Sequence, residues 1–366
     1  MNGKVLEQNL YHDKKNMAAV QMIEKNGTVE VRGIVGERLR IIPLPLVPRS
    51  GNGPMAHKLF KIESSAHYGD DYIELNSVTH FLFAFSETKN NTKIPDPFLV
   101  ELKIVVDVYH LRYFNTVEEE ILYMATTIAV VNLRYQNSNN TRVFFLLTEV
   151  MVGSTSTLRI ISGVDPDDPG NPYRFYTSSK ETLPHFANRH QYETADIVLL
   201  VTGLKLADLI NGTITTRVKG LAYLEGLCLP RYRFGQMEDV PHTYSGVPIA
   251  AHELGHLHIA DQHDSWNCCD RVNYVISGTE SLRQIALTTF TSFIARSLYS
   301  GFYRQKSSLK FCRTISEDCF NVKSQTDIKS SKLLPGTQIN MTDICRKRFR
   351  HISGMTGFPV SKNIVI

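Results

Sequence analysis

The run LVELKIVVDVY, residues 99–109, constrains the fold more than any other feature of the sequence. It is almost continuously apolar and rich in β-branched residues, the pattern of a strand buried on both faces. Such a strand needs covering layers on either side, and the chain downstream supplies them. Asn115 or Thr116 can cap a helix whose first turn carries Glu118, Glu119 and Glu120, where the helix dipole favours carboxylates. That helix runs through EEEILYMATTIAVVNLRY. RVFFLLTEV follows as a second strand, and ADIVLLVTG as a third, short and apolar with a glycine exit. The order predicts an α/β (α+β) domain beginning near residue 97, with no internal repeat at the spacing of a solenoid.

The chain before residue 97 has a different pattern. VEVRGIV, LRIIPLPLV and KLFKIE read as short strands separated by the polar turn RSGNGP, so residues 29–61 are predicted to be β-rich. From Ser64 to Pro97 the periodicity weakens, and SETKNNTKIPDP is polar and bounded by proline, which marks a linker between two domains. The 366 residues suffice for two or three domains, and 42% hydrophobic with 21% charged residues excludes a wholly disordered chain, a collagen repeat or a coiled coil. No apolar run approaches the ~18–20 residues of a membrane-spanning helix. With 40 basic against 36 acidic residues, the charge balance gives no support to nucleic-acid binding.

The N-terminus, MNGKVLEQNLYHDKKNMAAVQM, lacks the apolar core and cleavage site of a secretory signal. Two other features point to secretion, and hence to an N-terminal truncation. All six cysteines fall between Cys228 and Cys345, a disulfide-bearing half behind a cysteine-free leader. Glycosylation acceptor sites stand at Asn26, Asn90, Asn139, Asn211 and Asn340, where chance would give roughly two or three.

Chemistry concentrates in AAHELGHLHIADQHD. His252, Glu253 and His256 form H-E-x-x-H, and five of the 13 histidines lie between His242 and His263. On a helix, residues four apart share a face about 6 Å apart along the axis, so both imidazoles reach one Zn²⁺. Glu253, beside the first histidine, is placed to act as general base on a water at that metal. His263 offers a third ligand if the chain turns sharply, because a straight helix would set it about 10 Å beyond His256. His258, two residues from His256, points off the metal face.

These residues resemble the metzincin zinc endopeptidases, whose motif is H-E-x-x-H-x-x-G-x-x-H followed by a Met-turn, and within them the reprolysin branch, most closely the salivary metalloproteases of ticks. The resemblance covers most of the chain. RGIVGERLRIIPLPLVPRSGNGPMAHKLFKIE is similar to the end of that family's propeptide; LKIVVD, AVVNLRY and DIVLLVTG to the opening of its catalytic domain. VKGLAYLEGLCLP resembles its cleft-lining edge strand, TYSGVPIAAHELGH its active-site helix, and LLPGTQINMTDICRKRF the start of its cysteine-rich domain.

The resemblance implies a propeptide at 1–95, truncated at its start, a catalytic domain at 96–325 and the start of a cysteine-rich domain at 326–366. It implies His252, His256 and His263 as zinc ligands and Glu253 as catalytic base. The strand from Gly220 to Cys228 would pair with an extended segment of an extracellular protein substrate. Cys228 would pair with Cys319 or Cys312, while the partners of the adjacent Cys268 and Cys269 stay unassigned. No cysteine precedes residue 228, so the propeptide, as an intramolecular inhibitor, would work by blocking the cleft and not through a thiolate. The sequence departs from the family pattern at Ile259, which replaces the motif glycine, at the extra residue that puts Gln262 where the third histidine is counted, and at Ile276 in Tyr274-Val275-Ile276-Ser277, which replaces the Met-turn methionine. These departures carry the alternative expectation, a secreted binding protein of the same fold without catalysis.

Overall fold

The computed structural model describes residues 8–25, 27–44, 55–62, 71–74, 95, 97–136, 143–163, 175–258, 319, 321–323 and 332–333. It begins with antiparallel strands β1 (Leu10–Asp13), β2 (Ala18–Lys25), β3 (Thr28–Val35), β4 (Leu39–Pro43) and β5 (His57–Lys61). β3, β4 and β5 are the three strands expected from the alternating pattern. The β2–β3 ladder closes at Lys25 opposite Thr28, around an Asn-Gly pair whose Gly27 has φ +71°, the backbone region that a tight hairpin turn needs. The short β6 (Tyr72–Ile73) lies within the stretch predicted to be a linker.

The expected α/β domain follows. β7 (Phe98–Val106) is the strand predicted to be buried on both faces, and eight of its nine residues are buried. A single turn, α1 (Val108–Leu111), precedes α2 (Val117–Tyr135). Thr116 caps α2 by accepting from the Glu119 N–H at 3.2 Å, and Glu119 accepts from the Asn115 N–H at 3.0 Å, a reciprocal box that engages both candidate residues. Then come β8 (Val143–Val152), β9 (Ile160–Ser162), β10 (Phe175–Ser178), α3 (Ser179–Arg189), β11 (Ile197–Thr202), β12 (Leu206–Ile210) and β13 (Thr213–Thr215). β14 (Gly220–Tyr223), β15 (Phe234–Glu238) and α4 (Gly246–His258) complete this part, and β16 (Lys332–Leu333) is the last element described.

Three sheets result, in the orders β16-β1-β2-β3-β4-β5, β13-β12-β10-β9 and β6-β14-β15-β11-β7-β8. In the last, β15, β11, β7 and β8 run parallel, while β14 turns back antiparallel to β15. α2 packs on β8 and on α4, and α4 lies on β14 and β15. Their apolar faces form the main core, with Val100, Leu102, Met124, Phe145, Leu200 and Leu254 all at most 1% exposed. Lys103 on β7 is buried with its charge paired, to Glu149 at 3.0 Å and to Glu193 at 2.9 Å.

The N-terminal sheet docks on α2 and on the lead-in to α4. Gln21 donates to Thr126 Oγ1 at 2.8 Å and to the Leu122 carbonyl, Arg32 pairs with Glu119 at 3.0 Å, and Arg40 donates to the Thr243 carbonyl at 3.1 Å. β16, from the region assigned to the cysteine-rich domain, pairs in parallel with β1. Among the described residues no helix is long and apolar enough to cross a membrane.

Candidate metal centre

Helix α4 is positioned at its N-terminus by one carboxylate. Asp239 Oδ1 accepts from the Gly246 N–H at 2.5 Å and from Ser245 Oγ at 3.1 Å, where a negative charge is favoured by the helix dipole. Its Oδ2 accepts from Tyr123 Oη at 2.7 Å and faces His110 Nε2 at 2.9 Å, and His110 Nδ1 lies 3.1 Å from Glu120. Burial alone would lower the His110 pKa, but the hydrogen bonds and charges of Asp239 and Glu120 outweigh it and raise the value to about 9. The two carboxyl groups thus favour the protonated form of His110, while burial raises the pKa of Glu120 itself. Glycine is needed at 246, because a Cβ there would lie 2.9 Å from Asp239 Oδ1. At the other end of α4, the Glu225 and Leu227 N–H groups donate to the His256 and Leu257 carbonyls, both at 2.9 Å.

On this helix His252, Glu253 and His256 are fully buried. The two histidines share a face, as their spacing predicts, and their Nε2 atoms lie 3.0 Å apart with the rings nearly perpendicular. Asp71 completes the group: its Oδ2 is 3.0 Å from His252 Nε2 and its Oδ1 is 3.1 Å from His256 Nε2. All three side chains present ligand atoms within 4.8 Å of one another. A tetrahedral zinc ion with bonds of 2.0–2.1 Å spaces its ligands about 3.3 Å apart, so a nitrogen, nitrogen and oxygen set at these separations fits that ion.

Glu253 lies beside the pair, and among the described residues neither carboxylate oxygen has a hydrogen-bond partner. Burial first, and the Asp71 charge second, push its carboxyl well above the usual carboxylate range. Its space comes from Gly220 at the start of β14, where an added Cβ would run into the Glu253 carboxylate. His258 does not join the histidine pair: it is buried with its ring edge-on to Phe98 at 5.8 Å, and burial lowers its pKa to about 4. His263, the expected third ligand, lies outside the described residues, as do Ile259, Gln262, Cys268, Cys269 and Tyr274–Ser277.

The strand expected along the cleft from Gly220 to Cys228 ends at Tyr223, where the chain turns through Glu225 and Cys228 with φ of +57° and +61°. Cys228 is bonded to Cys319. Asp196 lies against this disulfide, and burial raises its pKa to about 6. The two sulfurs are engaged with each other, so that cluster offers no thiolate to a metal.

Asp71 and Gly220 are the site residues that the sequence reading did not single out. Asp71 sits in HYGDDYIELNS, where two adjacent carboxylates precede an apolar pair, a weak local signal.

Comparison with known proteins adds to this geometry. Residues 121–264 match the metallo-peptidase family M12B, reprolysin-like. The venom metalloproteinase BumaMPs1 of Olivierus martensii is 25% identical over 302 residues, which cover 76% of this chain and 70% of that protein. The venom metalloproteinase antarease TserMP_A of Tityus serrulatus is 24% identical over 267 residues, 71% of this chain and 66% of its own length. Venom metalloproteinase 2 of Eulophus pennicornis is 25% identical over 186 residues, 48% of this chain and 42% of that relative. The matched regions thus span from under half to a little over two thirds of these relatives.

Proposed function

We propose, from the premise that the chain carries a reprolysin-like M12B metallopeptidase domain, that it is a secreted zinc endopeptidase acting on extended segments of extracellular proteins. The observation that carries this reading is the convergence of two buried imidazole nitrogens 3.0 Å apart, with the Glu253 carboxyl group, which has no hydrogen-bond partner among the described residues, beside them. His252 and His256 would hold the metal, with His263 as a further ligand. When bound, zinc supplies Lewis acidity toward water and toward a peptide carbonyl.

The chain's own residues supply the rest. With the metal bound, its positive charge would oppose the burial and the Asp71 charge that raise the Glu253 pKa, and the ionised Glu253 would take the proton of an attacking water and return it to the departing amide nitrogen. The edge of β14 that β6 occupies in this structure would, once β6 is displaced, align an extended substrate by strand addition. Asp239 and the loop at Glu225–Leu227 fix the two ends of α4, which keeps the histidine face in register with β14. The region before residue 96 would act as a propeptide covering this cleft. Homology to venom metalloproteinases supports both the proteolytic reading and export from the cell.

Purified protein, trimmed of its N-terminal region by limited proteolysis and loaded with zinc, is expected to hydrolyse an unfolded protein, and chelators are expected to abolish that activity. Glu253→Gln should retain the metal and lose turnover by on the order of 10²–10⁴-fold, because an amide cannot accept the proton. Hydrolysis unaffected by that substitution would overturn the assignment.

A further inference from the structure

We propose that Asp71 is a ligand to the same metal as His252 and His256, so that residues 71–74 close the cleft at the metal and at the strand edge together. The inference rests on the zinc endopeptidase reading and assigns its latency to a particular carboxylate. Asp71 is 1% exposed, and each of its oxygens faces a different histidine nitrogen, at 3.0 and 3.1 Å. The two nitrogens themselves stand 3.0 Å apart, so all of these atoms converge on one small volume. Two imidazole nitrogens and a carboxylate gathered in this way are a donor set that would hold one zinc ion, which binds neutral imidazole and ionised carboxylate.

The backbone around Asp71 supports the same conclusion. β6 pairs in parallel with β14, with Tyr72 opposite Ala222 and Ile73 opposite Tyr223. The Ala222 N–H donates to the Asp71 carbonyl at 3.3 Å, and the Leu224 N–H donates to the Ile73 carbonyl at 3.0 Å. These are the groups a substrate strand would need, so the segment and a substrate exclude each other. The Tyr72 ring tilts over His256 at 5.4 Å and covers that side of the pair. What meets the histidine nitrogens is a side-chain carboxylate and not a peptide carbonyl, so the segment presents no bond for cleavage.

The test uses the full chain, wild type against Asp71→Asn and Asp71→Ala, with zinc affinity measured by chelator competition. Asp71→Asn keeps the volume, and the melting temperature of the metal-free proteins checks folding. Both variants should bind zinc at least about tenfold more weakly and should hydrolyse a peptide without removal of residues 1–95. Cobalt substituted for zinc should give a visible spectrum that differs between wild type and variants. Zinc affinities within about twofold of wild type would reduce the contact to an ion pair only and overturn the proposal. A measurement on unaltered protein covers the case of misfolded variants: zinc should slow nicking by an added protease between residues 62 and 97 at least about tenfold, and an absence of any zinc effect would also overturn it. A variant that loses metal affinity, yet hydrolyses nothing with or without its N-terminal region, would leave Asp71 a ligand and remove the endopeptidase reading instead.

Discussion

Gly220 has no side chain, and the Glu253 carboxylate fills the space that one would occupy. This close approach sets the distance between α4 and β14 at the point where, in the proposed function, base and substrate backbone would meet. In Gly220→Ala the added methyl would displace Glu253, while His252 and His256 keep their positions. The expected outcome is zinc content equal to wild type with turnover down by on the order of 10²-fold, since misplacing a reacting group by about 1 Å costs that much. Unchanged turnover in the alanine variant would show that the two elements can separate freely. Residues of this kind differ in how far they are legible from sequence. His252, Glu253 and His256 are legible because a helix converts i, i+4 spacing directly into a shared face. Asp71 meets His256 across 185 positions through a ladder only two residues long, and no local pattern encodes such a register. Gly220 takes its meaning from an opposing side chain on another element, which a single strand pattern does not contain.

The elements hold their places through a few buried polar contacts. α2 was legible from Thr116 and the glutamates after it because an N-cap satisfies backbone groups within its own turn. Thr116→Ala should therefore lower stability by about 1 kcal/mol, read as a shift in the urea midpoint at constant slope. The His110 network is a tertiary device that joins α1, α2 and the lead-in to α4. Its histidine has a folded pKa near 9, above the ordinary 6.5 of an unfolded chain. The folded protein thus holds this proton more tightly. The stabilisation is fully present below pH 6.5 and is lost as pH rises through 9. Stability should fall by on the order of 2–3 kcal/mol across that window, and His110→Gln should flatten the profile. A flat wild-type profile between these pH values would refute the imidazolium assignment. β6 escaped sequence reading because two residues carry too little periodicity to register as a strand, and the pattern is weak throughout the stretch from Ser64 that leads to the polar, proline-bounded SETKNNTKIPDP.

At the scale of the molecule, the N-terminal sheet and the α/β domain form one contact surface over α2 and the lead-in to α4. Arg40, 2% exposed, donates to the carbonyls of Gly36, Glu37 and Leu39 on its own side and of Thr243 across the boundary. The two-part organisation was legible from the change in hydrophobic pattern, whereas the way the parts meet depends on single side chains such as this one. The disulfide acts over the longest span. The chain leaves α4 after His258 and returns at Cys319, which is bonded to Cys228 with the two Cα atoms 5.9 Å apart. Cys228 follows directly on the loop whose N–H groups cap the last carbonyls of α4. One covalent link therefore ties the return of the chain to the end of the helix that carries the histidines. With the cysteines 91 positions apart in sequence, loop-closure entropy gives such a bond a stabilising effect of about 4–5 kcal/mol, and measured losses in comparable cases run from about 2 to 5 kcal/mol. The double substitution Cys228→Ser with Cys319→Ser should lower the unfolding free energy by about 2–5 kcal/mol in urea titration, with zinc retention falling in the same preparation because the end of α4 is less constrained. If the reduced or substituted protein kept the midpoint and metal content of the oxidised one, the disulfide would be ornamental and the helix end would be held by its hydrogen-bonded loop alone.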